Sequence, residues 1–136
     1  MLDSLRRCYN KWVYEYYGNK LVKFVKKVII TQHHPPNRQD FARFEHAHKL
    51  SSDAVATLIA IQSSSPRISY PPKLHYTYQE IYGTEPILRF ILPKETLAIL
   101  DKLQEQYGDN RDFNEMKFNI AFELINVKAY LRKPLK

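Results

Sequence analysis

An all-α fold is what this sequence predicts, on three observations. Only three glycines occur in 136 residues, which leaves little material for tight β-hairpins. No proline interrupts the stretch from Leu2 to about Gln32, where Leu21, Phe24, Val25 and Val28 recur at helical spacing. Beyond it, proline, glycine and capping residues cut the chain into segments that each keep a helical apolar period. The expected architecture is a long N-terminal helical arm with a turn, residues 1–36, followed by a small antiparallel bundle of about four helices, residues 37–136.

In the arm, Tyr9, Tyr16, Lys20, Lys23 and Lys27 share one side at about 100° per residue, and the apolar residues share another. Gly18-Asn19 is its weakest point. His33-His34-Pro35-Pro36 ends it, because proline lacks an amide proton and disfavours helix in the residue before it. Asn37 with Asp40 three positions on reads as a cap for a second helix, whose Phe41, Phe44, His48, Val55, Leu58, Ile59 and Gln62 trace one stripe. A break is expected at Ser51-Ser52-Asp53.

Residues 63–76, with Pro66, Pro71 and Pro72, read as a connecting loop, and Thr77 with Glu80 as a capping box for a short helix ending at Gly83. Ile87 to Leu92 has strand-like composition but no partner strand. Pro93 opens a helix carrying Leu97, Leu100, Leu103 and Tyr107, stopped by Gly108. In the last helix Phe113, Met116, Ile120, Leu124, Val127 and Leu131 form one stripe, and Phe118, Phe122 and Ile125 a second. Two apolar sides predict a central helix.

A helix of about 30 residues is about 45 Å long, whereas a unit of about 100 residues has a radius of gyration near 13 Å and spans roughly 35 Å. The arm should either bend at Gly18-Asn19 and wrap its own bundle, or project and bury its apolar face on another molecule.

Charge is sorted by position. Residues 1–38 carry eight Lys/Arg against two acids, residues 39–126 nine against twelve, and residues 127–136 four against none, giving the net +7. Such sorting points to a polyanionic partner. Lys and Arg neutralise phosphates, and interleaved tyrosines donate to phosphate or sugar without reading sequence. The candidate nucleic-acid contacts are Arg6, Arg7, Lys11, Tyr16, Lys20, Lys23, Lys26, Lys27 and Arg38. To these the C-terminal segment adds Lys128, Arg132 and Lys133. Macrodipole compensation explains these last cations as well, so they gain a binding role only where they lie beside the arm.

Other chemistry finds no support. Cys8 is the single cysteine, which excludes an intrachain disulfide, and it reads as a small buried thiol. His46 and His48 diverge on a helix, and the Glu45/His48 pair has no second copy to complete a di-metal site; His33 and His34 read as turn residues or further phosphate contacts. No Walker, Rossmann or serine-hydrolase motif occurs. No enzyme activity, metal or cofactor is expected. Neither a signal-peptide core nor a spanning helix is present, so a soluble protein is expected.

With its basic arm Leu2 to Gln32, turn His33 to Pro36 and bundle Asn37 to Leu131, the chain resembles the major coat proteins of filamentous archaeal viruses. It lacks the Gly-, Ser- or Pro-rich stretch that better-known members often carry ahead of the helix. The resemblance implies that dimers of subunits wrap linear double-stranded DNA, the arm holding the duplex in an A-like form through Arg6, Arg7, Lys11, Lys20, Lys23, Lys26, Lys27 and Arg38. It implies a helical filament in a virion, built as a homo-oligomer or as a hetero-dimer with a paralogous subunit, with possible contact to a membrane envelope. Two other readings stand beside it: a compact helical DNA-binding regulator that reads base edges, and a peripheral membrane protein that binds through its amphipathic arm.

Overall fold

A computed structural model describes residues 2–63, 81–126 and 128–136. The expectations for residues 64–76, for the Thr77 and Glu80 box and for Val127 lie outside these. The described residues are all helical, without strands: α1 Leu2–Gln32, α2 Arg38–His48, α3 Ser52–Ser63, α4 Glu85–Ile91, α5 Lys94–Tyr107 and α6 Arg111–Asn126, then a 3-10 turn Ala129–Arg132.

Local chemistry sets the boundaries where the sequence predicts them. α1 runs to Gln32, and His33 follows in the left-handed region at φ 60°. Asn37 and Asp40 form a reciprocal capping box at 3.0 Å each way. The expected break between the next two helices occurs: Lys49 turns left-handed at φ 55°, and Ser51 Oγ accepts from the Ala54 amide at 3.1 Å. Ile87 to Leu92 is not a strand. Glu85 and Pro86 start a helix there, and its Ile87 and Leu88 are buried.

The centre of the bundle is α3, not the last helix. Every residue from Ala54 to Ala60 is buried, because alternating small residues with Val55, Leu58 and Ile59 let neighbours approach from all sides. α1, α2, α4 and α6 all pack on it. The last helix stops at Asn126, and its buried stripe is Phe113, Lys117, Ala121 and Ile125. Met116, placed on the core stripe by sequence, is exposed. α5 buries none of its residues fully and lies at the periphery.

α1 does not break, and it does not project its apolar face. It is continuous through Gly18-Asn19, and Val13, Tyr14, Leu21 and Val25 join the same core as α2, α3 and α4. Gly18 makes room for the Gln62 side chain of α3: a β-carbon there would displace its amide end. The glycine is a packing contact, not a hinge.

Candidate nucleic-acid interface

The buried side of α1 follows the alternating three- and four-residue spacing Tyr14, Gly18, Leu21, Val25, Val28, and Asn10 extends it by one turn. Those first polar members hold the C-terminal segment. Asn10 Nδ2 donates to the Leu131 carbonyl at 2.6 Å, and the Tyr14 hydroxyl donates to the Lys133 carbonyl at 3.1 Å. Tyr14 also meets Tyr130 edge to face, with ring centroids 5.0 Å apart. Burial, then the neighbouring Tyr130, raises its hydroxyl pKa and keeps it a neutral donor.

This clasp lays the 3-10 turn along the first turns of α1. Arg6, Arg7 and Arg132 line one cleft of about 290 Å³ with a single acid, Asp3. Arg7, Lys128 and Arg132 line an adjoining one. Lys11 and Lys128 face each other across a third that includes Glu15. Two basic segments more than a hundred residues apart in sequence therefore form one positive edge.

The remaining candidates fall in separate places. Lys20, Lys23, Lys26 and Lys27 are exposed along the rest of α1. Lys20 Nζ sits 5.5 Å from the Tyr16 ring centroid, and Lys136 Nζ 4.9 Å from that of Tyr17. Between those two cations His48 has its pKa lowered, by desolvation first and then by Lys20 and Lys136. It adds no charge at neutral pH. Arg38 opens α2 and acts on the Tyr82 hydroxyl, outside the clefts of the arm. Lys133 is set apart from the arm cations: its ammonium donates to the Arg89 carbonyl at 3.2 Å and lies over Phe90.

Among the described residues, the ion pairs are Arg43–Asp40, Arg111–Glu115 and Lys117–Glu85. None of them takes a cation from α1 or from residues 128–136, so the positive charge of this edge has no paired acid among those residues. No cluster of three His, Cys, Asp or Glu side chains stands among them either. Cys8 is exposed on α1 rather than buried. No helix of the described residues is long and apolar enough to cross a membrane.

Sequence reasoning missed Asn10 and Tyr14 as the residues that bring the clusters together. The signal was present: both sit in register with Leu21, Val25 and Val28, so their polar groups had to enter the protein and find partners. No protein-family model, no curated protein and no solved structure matches this chain.

Proposed function

We propose that the protein is a non-enzymatic nucleic-acid-packaging protein that binds phosphate without reading sequence and acts as a repeating virion coat subunit on double-stranded DNA. The observation that supports it is the convergence of Lys128 and Arg132 on Arg6, Arg7 and Lys11, to which Lys20, Lys23 and Lys27 add a second row of exposed cations on another side of the same helix. A straight helix of 31 residues is about 46 Å long. It can lie along a duplex and place cations against many phosphates. The order of long basic helix, turn and helical bundle also resembles that of the filamentous coat proteins.

Duplex affinity measured against salt tests the reading. Neutralising Lys20, Lys23, Lys26 and Lys27 to Gln is expected to reduce the log–log slope by about 0.9 for each phosphate left without its cation, roughly 3 to 4 in all. A slope that is flat in the unmodified protein overturns it.

A second reading, a compact DNA-binding domain that works as a folded monomer, draws on one observation: the apolar face of α1 is covered by its own bundle. It predicts discrimination between unrelated duplexes. Equal affinity for unrelated duplexes, with filaments seen by electron microscopy, excludes it.

A further inference from the structure

The outward side of α1 carries a row that its phosphate-binding cations leave unexplained. Tyr9, Trp12 and Tyr16 are 62%, 61% and 44% exposed. Their rings follow one another along the helix: Tyr9 to Trp12 at 6.5 Å and 31°, Trp12 to Tyr16 at 5.7 Å and 21°. Lys20 Nζ then lies 5.5 Å from the centroid of Tyr16. At about 100° per residue, these three aromatics and Lys20, Lys23 and Lys27 fall within an arc of about 80°. Asp3 and Glu15, the acids of α1, lie outside that arc.

An aromatic row costs free energy in water, and here no core covers it. Among the described residues none of its polar groups has a hydrogen-bond partner that would explain an orientation towards solvent. What matches the row is a ligand with flat apolar faces and a regular negative charge: a strand of nucleic acid whose bases are not paired. Aromatic side chains interleaved with cations form stacking platforms for such strands, and each stacked base raises affinity by about tenfold or more. A duplex offers its phosphates to the lysines but keeps its base faces stacked on one another.

We propose that the outward stripe of α1 is a binding site for single-stranded nucleic acid, with bases stacking on Tyr9 and Trp12, Tyr16 backing Trp12, and phosphates meeting Lys20, Lys23 and Lys27. The inference rests on the nucleic-acid reading above and adds to its duplex contacts a separate site for an unpaired strand. Phosphate contacts at the Arg6, Arg7 and Arg132 edge serve either form. The aromatic row serves only the unpaired one.

Trp12 is the sole tryptophan, so its emission reports on the row directly. The full chain is titrated with labelled oligothymidylate of about 15 nucleotides, with a duplex of equal length, and with phosphatidylglycerol–phosphatidylcholine vesicles. Anisotropy follows binding and Trp12 fluorescence follows stacking. Oligothymidylate is expected to quench Trp12, while the duplex binds without quenching it. W12A, checked for unchanged helix content, is expected to lose about tenfold in single-strand affinity and to keep its duplex affinity, whereas K23Q/K27Q weakens both.

Binding of both ligands with no Trp12 response overturns the stacking site and leaves the phosphate reading standing. Failure of both to bind overturns the two together. A blue shift of Trp12 on vesicles, or on raising protein concentration, with no response to oligothymidylate assigns the row to lipid or to a second copy and also ends the proposal.

Discussion

Tyr82 donates to Glu45 Oε1 at 2.9 Å, and burial followed by that hydrogen bond raises its pKa. Tyr14 is raised by burial and by Tyr130. Both phenols stay protonated in the folded protein above their ordinary value of 10.0, whereas the unfolded chain releases those protons. Stability is therefore intact below about pH 10 and falls as pH rises beyond it. Y14F is expected to flatten the fall in stability above about pH 10 in urea melts repeated across pH, since it removes one of the groups that drives it, while loss of the hydrogen bond to Lys133 lowers stability at every pH. At Gly18 a large side chain must displace the amide end of Gln62: G18L should destabilise by about 1–3 kcal/mol in urea melts, and G18A by less, since only the end of a flexible side chain has to shift. At this scale the sequence was legible where chemistry is local. The Asn37 and Asp40 cap needs only its own four residues. Lys117 was not legible, because its burial depends on Glu85, 32 residues away, which accepts from its ammonium at 2.5 Å.

Among the elements, α3 carries the core. L58A removes a fully buried side chain from α3, surrounded on all sides among the described residues, and a loss of about 2–5 kcal/mol is expected in chemical denaturation. N37A removes one half of the capping box of α2 and should cost about 1 kcal/mol in the same assay. The extent of α1 was readable from its proline-free period. Its packing was not. Helix length set against bundle width leaves out residues 129–133, which extend the covered side towards Asn10. The centrality of α3 was hidden for a different reason: alanines read as neutral in a periodicity, yet Ala54, Ala56 and Ala60 are what allow close packing there.

For the whole molecule, the distribution of charge gave a sound guide to where cations would gather, but linear sequence could not place Lys128 and Arg132 on the arm or withhold Lys133 from it. The structure separates their positions, and the binding consequence of that separation is testable. K128Q/R132Q should lower the salt slope of duplex binding by about 2, whereas K133Q leaves it unchanged. N10A, which loosens the clasp without altering charge, should weaken binding in the same direction by a smaller amount.

The Asn10 to Leu131 hydrogen bond spans 121 residues of sequence. Contacts that distant close late, because the loop between them must be ordered first. The arm's own lysines are available as soon as α1 forms, but the arginine-lined cleft exists only after the bundle has folded and the segment beyond Asn126 has docked. Under the proposed reading, attachment to a polyanion would in this way be conditional on the rest of the domain, and a fragment holding residues 1–63 alone would carry the charge of the arm without the cleft.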